Sequence, residues 1–397
     1  MPESIGSLFS VFLRLGLTSF GGPIAHLGYY RAEFVERRRW LSEAAYADLV
    51  ALCQLLPGPA SSQVGFAVGL SRGGLPGGLV AWLGFTLPSA LAMVLFARGA
   101  AAMTGPLSAG MLHGLQVVAV AVVAQAVWSM ARSLCPDRPR ATIAVVATLV
   151  VLAAPTAIGQ IVAILAGAAA GAWLCRDAPA IAATERLAVR VPRGLAVTAL
   201  ALFALLLIGL PIGAAVLPLP ALAVTEAFYR AGALVFGGGH VVLPLLHASV
   251  VERGWVSEDA FLSGYGAAQA VPGPLFTFAA YLGAVVAAPS APSGWLGAAL
   301  CLVAIFLPGL LLVLGVLPFW VSLGRAPLMA AGLRGVNAAV VGVLLGALYD
   351  PVWTKGIGGP ADFGLALASF ALLVIWKAPS WLVVLVSAVG GAAVFAR

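Results

Sequence analysis

The chain has 397 residues, of which 62% are hydrophobic and only 9% charged, where soluble domains carry roughly 25% charged residues. This composition excludes a soluble fold and implies an all-α polytopic membrane protein, because apolar stretches such as 194–223 and 295–323 exceed the ~20 residues a helix needs to cross hydrocarbon. The net charge of +7 lies almost wholly in arginines between apolar segments. It reads as topology signal and contact with membrane lipid, and argues against a nucleic-acid partner.

No cleavable signal is expected at the start, since the first apolar stretch carries Arg14, lacks a basic leader and runs into Gly21, Gly22 and Pro23. Between residues 5 and 69 the apolar pieces are about 10 to 16 residues long and interrupted by Gly or Pro, too short to span as regular helices. They predict discontinuous or re-entrant helices. In one geometry each pair of pieces is a re-entrant hairpin with its tip at Gly21-Gly22 or Pro57-Gly58-Pro59; in the other each pair is a single broken span. The arginines favour hairpins, because the groups at 31–39, 132–140 and 176–193 then share the cytoplasmic side, giving roughly nine full spans plus four hairpins. Cys53, Cys135, Cys175 and Cys301 are scattered singly, without a spacing that suggests a metal site or disulfide framework.

The sequence repeats itself. Arg14-Leu15-Gly16, Phe20-Gly21-Gly22, Val35-Glu36-Arg37, Trp40, Ser42-Glu43, Gln54 and Pro57-Gly58-Pro59 return in order as Arg230-Ala231-Gly232, Phe236-Gly237-Gly238, Val251-Glu252-Arg253, Trp255, Ser257-Glu258, Gln269 and Pro272-Gly273-Pro274. Further on, Leu112-His113-Gly114-Leu115-Gln116 matches Leu333-Arg334-Gly335-Val336-Asn337. The expected organisation is a first repeat at 1–176, a charged linker plus one extra transmembrane helix at 177–220, and a second repeat at 221–397. One intervening helix inverts the second half if each half crosses an even number of times. Charge agrees: residues 31–43 carry Arg31, Arg37, Arg38 and Arg39, whereas 247–259 keep Arg253 beside Glu252, Glu258 and Asp259. The positive-inside rule puts the first segment in the cytoplasm and the second outside, which makes two inverted-topology repeats.

Irregular backbone at membrane depth is tolerated where it is buried in protein or lines a watery cavity. Each break precedes a helix start, at Pro23, Pro59, Gly239 and Pro274, with unpaired N–H groups and partial positive charge that suit an anion. Four such ends converging from two halves would form an anion cage; Gly and Pro that merely kink or pack helices are the simpler alternative. Ser19, Ser61, Ser62, Gln63 and Thr277 could donate to an oxyanion, although membrane hydroxyls often bond their own backbone. Gln54 and Gln269 precede each Pro-Gly-Pro by three residues and share a helix face with it. Arg14 and Arg230 could balance a divalent anion or snorkel to an interface. His26 and His240 flank the first break of each half and could carry a proton. The patch at His113 and Gln116 either faces a cavity or packs between helices. No catalytic or cofactor motif is visible, so the chain is read as a transporter and not an enzyme, with an anion channel as the alternative from another class.

Phe20-Gly21-Gly22-Pro23, Glu36-Arg37 before Trp40-Leu41-Ser42, and Gln54-Leu55-Leu56-Pro57-Gly58-Pro59 resemble the chromate ion transporter superfamily in its long two-domain form. So do Phe236-Gly237-Gly238-Gly239-His240 with Pro244, and Ala270-Val271-Pro272-Gly273-Pro274. The resemblance covers nearly the whole chain. It implies a multi-pass inner-membrane carrier that exports chromate from the cytoplasm, confers chromate resistance and depends on membrane potential or a proton gradient. Sulfate shares chromate's charge and tetrahedral shape, so transport of sulfate or another oxyanion is the alternative substrate reading. A homodimer is held open as the assembly.

Overall fold

The computed structural model describes residues 3–102, 105–176, 191–236, 239–320 and 327–395. Helix α1, Ile5–Thr18, starts at the Ser4 cap, whose hydroxyl accepts from the Ser7 N–H, and buries Leu8, Val11, Phe12 and Leu15. It ends where Gly21 and Gly22 take φ of +97° and +78°, a region open to glycine and costly for residues with a Cβ. Pro23 then opens α2, Gly22–Arg31, which continues as a π-helical segment, Ala32–Arg37. Helix α3, Glu43–Leu55, is capped by Ser42. It stops before the Pro-Gly-Pro, after which α4, Ala60–Ala102, begins and is divided by non-helical Gly73 and Gly74.

These four arms form two hairpins that open at the same end. The Glu3 N–H donates to the Arg72 carbonyl (3.2 Å), and the Arg72 guanidinium lies 5.2 Å over the Trp40 ring. The start of α1, the loop after α2 and the Gly73-Gly74 turn therefore gather in one place. A broken span would have carried Arg72 to the end opposite Trp40, so both elements are hairpins. Past the turn, α4 doubles back as a rod at 75–102: an ideal Cβ on Gly69 would lie 2.7 Å from the Ala81 Cβ, a backbone approach that only glycine permits.

The second half repeats this plan. Its elements are α9 (Pro220–Leu234), α10 (Val242–Leu246), α11 (Glu258–Ala268), α12 (Phe278–Val285) and α13 (Gly294–Val316). The Ala287 N–H donates to the Trp255 carbonyl (2.9 Å), closing the hairpin mouths as Arg72 and Trp40 do. Gly283 packs on Gly297 as Gly69 packs on Gly77. The first half's loops sit at the Gly74 end of the α4 rod, whereas Asp259, Ala260 and Val285 share a cavity with Ala97, Ala100 and Ala101 at its other end.

The halves interlock through their remaining helices. Helices α6 (Arg138–Ala153) and α7 (Ala157–Leu174) pack on α14 (Pro327–Ala347), while α15 (Pro360–Val374) and α16 (Ser380–Phe395) pack on α5 (Pro106–Leu134). Glycines set both contacts: Gly335 meets Gly167 and Gly171, and its sequence counterpart Gly114 meets Ser387 and Gly391. The extra helix α8, Arg193–Val216, lies against α9 and α13 with most of its surface exposed. Large apolar side chains such as Leu205 and Trp173 project outward, the pattern of a lipid-facing surface rather than an aqueous one.

Five helices among the described residues have the length and hydropathy to cross a membrane, where the sequence predicts roughly nine. Four further apolar helices, α6, α7, α15 and α16, have 16, 18, 15 and 16 residues, or about 22–27 Å at 1.5 Å per residue. The hydrocarbon is about 30 Å thick. These helices occur as short, uniformly hydrophobic pairs held against the partner half.

Candidate functional site

The hairpin tips of the two halves are bonded to each other, reciprocally. The Gly58 N–H donates to the Val235 carbonyl (2.7 Å), and the Gly273 N–H donates to the Ser19 carbonyl (2.9 Å). Each bond joins the Pro-Gly-Pro of one half to the residue preceding Phe-Gly-Gly in the other. Gly58 and Gly273 hold φ of +122° and +100°, and each lies against the rod of the opposite half. A Cβ on Gly58 would approach the Gly309 Cα to 3.0 Å, and one on Gly273 would approach the Ser89 Oγ to 2.8 Å. Pro23 and Gly239 also meet, since a Cβ on Gly239 would be 3.8 Å from the Pro23 Cγ. All four breaks thus share one junction; Gly237 and Gly238 lie outside the described residues.

A cavity of 490 Å³ reaches this junction, lined by Pro23, Gln54, Gly58 and Ala60 on the hairpins, Ser129 and Ser133 on α5, and Asn337 on α14. Its polar lining is amide and hydroxyl, with no carboxylate among its lining residues. The first helical N–H groups of α4 open beside it. Such an N-terminus has unsatisfied donors and a partial positive charge, and it attracts anions. An ideal Cβ on Gly22 meets nothing within 4 Å. Gly22 therefore borders open space, unlike the tightly packed Gly58 and Gly273.

Several polar groups here are buried without a partner among the described residues: the hydroxyls of Ser19, Ser62 and Thr86 and the amide nitrogen of Gln269. Unpaired buried donors are costly, so they mark a place where a ligand or water can complete the bonding. His26 is buried between the Ser61 hydroxyl (Nδ1, 3.3 Å) and the Ser19 carbonyl (Nε2, 3.2 Å), and ties the start of α4 to the end of α1. His240 bonds the Tyr265 hydroxyl (2.7 Å). The Gln63 amide nitrogen donates to the carbonyls of Pro57 (2.9 Å) and Gly309 (3.2 Å), locking the Pro-Gly-Pro turn with Pro59 against α13. Thr277 is occupied by the Pro274 carbonyl (2.8 Å), which leaves it a local role at the Pro272–Pro274 turn. Phe20 packs near Trp381, and Phe236 shares an apolar cavity of 270 Å³ with Pro57.

The two arginines are not brought to the junction. Arg14 is on the exposed face of α1. The Arg230 Nε donates to Glu226 Oε1 (2.5 Å), and Arg253 reaches the same carboxylate (3.4 Å), so Arg230 already neutralises a buried anion. Neither guanidinium lines the 490 Å³ cavity. Ser129 and Ser133 reach the cavity, and Ser89 and Gly309 reach the tips, only through the fold. The matched Pro88 and Pro308, one residue before Ser89 and Gly309, were the signal that these rods pass the breaks.

Two interlocked repeats, discontinuous helices meeting at a shared junction, and a polar cavity leading to it define a polytopic membrane transporter. The family model described as Chromate transporter matches residues 6–172 and again 222–392, and the chain belongs to that family. It is 30% identical over 400 residues to the chromate transport protein of Pseudomonas aeruginosa, covering 98% of this chain and 92% of that protein. It is 28% identical to the probable chromate transport protein of Synechococcus elongatus (98% and 95% covered). It is also 28% identical to the chromate transport protein of Cupriavidus metallidurans (94% and 89% covered). No solved structure matches the chain.

Proposed function

We propose that this protein is a secondary carrier exporting chromate from the cytoplasm across the inner membrane, so that its expression confers chromate resistance. The observation that carries the reading is the reciprocal pair Gly58–Val235 and Gly273–Ser19, which holds four helix breaks beside a cavity without carboxylates. The dianion enters the 490 Å³ cavity, exchanges water for the N–H groups at the start of α4, the hydroxyls of Ser129 and Ser133 and the amides of Gln54 and Asn337, and is passed between the halves as the tips part. Opposite orientation of the two halves is part of the proposal. It is supported by the basic loop at the Gly74 end of the rod and the acidic loop at its other end, in line with the positive-inside rule.

Everted vesicles from expressing cells should accumulate radiolabelled chromate, and intact cells should hold less of it than controls. Gly22→Leu should insert normally and abolish this flux, because the side chain would fill the open space beside Pro23. Equal chromate content with and without expression would refute export. Flux of labelled sulfate equal to that of chromate would redirect the substrate assignment to oxyanions in general.

A further inference from the structure

A second cavity, of 720 Å³, opens at the far end of the rod from the Gly74 turn and is lined by His113, Gln116, Asp259, Ser263 and Tyr281. His113 lies on α5 with its Nε2 2.8 Å from Asp362 Oδ1 and its Nδ1 3.3 Å from Gln116 Oε1. The amide orientation of Gln116 is fixed from the other side. Its nitrogen donates to the Asp259 carbonyl (3.3 Å) and the Ser263 hydroxyl (3.3 Å), while that hydroxyl itself donates to the Leu112 carbonyl (3.3 Å). A carbonyl can only accept, so the Gln116 oxygen must face the ring. Both imidazole nitrogens therefore face acceptors, an arrangement satisfied in full only when both carry protons.

Asp362 is buried at the start of α15 and has its other oxygen occupied by the Gly358 N–H (2.8 Å). Among the described residues, other ionisable groups lie on the elements around the pair. Asp259 lines the same cavity on α11, the Tyr281 hydroxyl on α12 donates to the Ala260 carbonyl, Arg98 on the rod stacks on Trp295, and Lys355 is exposed. The repeat adds an independent observation. The counterpart of His113 is Arg334, a permanent cation, so the duplicated position carries fixed charge in one half and titratable charge, against a carboxylate, in the other.

We propose that His113 and Asp362 form the proton-binding site of this carrier, loaded through the 720 Å³ cavity. The proposal deepens the transport reading and rests on it. Loading adds one proton to the neutral imidazole while the carboxylate stays ionised, and release returns that proton to the cavity. A neutral ring has one N–H, so release costs the hydrogen bond to either Asp362 or Gln116. Gln116 bridges to α11, which ends at the Pro-Gly-Pro whose Gly273 holds Ser19. Protonation at the cavity is thereby connected to the crossed tips.

The test is chromate flux in proteoliposomes, driven by a proton gradient at zero potential or by potential without a gradient. In the wild type the gradient should raise flux several-fold; in His113→Gln and in Asp362→Asn the ratio with and without gradient should fall to about one. A wild-type ratio retained in either variant, or a ratio of one in a wild type that carries chromate under potential, overturns the proposal. If the wild type carries chromate under neither force, the transport reading fails, and ¹⁵N imidazole resonances of the purified protein then judge the site. Across a pH titration, a second proton on His113 that is lost more readily in Asp362→Asn upholds proton binding; a His113 ring whose protonation does not respond to Asp362→Asn refutes it.

Discussion

Replacing Gly273 by alanine should separate the packed glycines of the junction from the open one. At φ +100° a residue with a Cβ costs about 1–2 kcal/mol of backbone strain. The new Cβ would also stand 2.8 Å from the Ser89 Oγ and 3.3 Å from the Phe85 carbonyl oxygen, and such overpacking costs about 1–3 kcal/mol. The total is about 2–5 kcal/mol. Gly22→Ala has a φ of +78° but no atom within 4 Å of its Cβ, so only the backbone contribution of about 1–2 kcal/mol applies. Thermal unfolding of both purified variants in the same detergent reads the difference. Adding Ser89→Ala should restore part of the loss in Gly273→Ala, because it removes the nearer atom, and should do nothing for Gly22→Ala. Equal destabilisation by the two alanines, or no rescue by Ser89→Ala, would refute the crossed packing.

Further outcomes follow from the same geometry. Gln54→Leu removes an amide from the 490 Å³ cavity and should raise the chromate concentration for half-maximal flux with little change in folded yield. Arg230→Gln leaves the buried Glu226 with Arg253 alone and should cost about 1–3 kcal/mol of stability, whereas Arg14→Gln on the exposed face should unfold at the wild-type temperature; the reverse order would contradict the assignment. Gly114→Val and Gly335→Val should each sharply lower folded yield, since a Cβ there would enter the backbone of the facing helix. Single cysteines at the paired positions Glu36 and Glu252, both exposed, should react with a membrane-impermeant reagent from opposite faces once the four natural cysteines are replaced. Labelling from one face would overturn opposed orientation.

The duplication made much of this arrangement legible, because matched breaks at Phe-Gly-Gly and Pro-Gly-Pro implied matched tips. What decided between hairpin and span was a contact remote in sequence, Arg72 over Trp40; pieces of about 10–16 apolar residues suit either geometry. Sequence matching also assigned Arg14 and Arg230 one role. Their surroundings differ because α8 covers α9, while α1 leaves Arg14 on an exposed face. The exchange of α6–α7 and α15–α16 between halves was out of reach for the same reason: the glycines that set it pair across 150 residues or more, and no local pattern records the partner.

Chromate binding where the hairpin tips cross, the site proposed above, can be tested directly. Anomalous diffraction at the chromium edge from crystals of the chromate complex would locate the metal atom directly. A single strong peak is expected beside Pro23, Gly58 and the start of α4, within the cavity that Asn337 lines. A peak confined to the cavity of His113 and Asp259, with nothing at the tips, would contradict it.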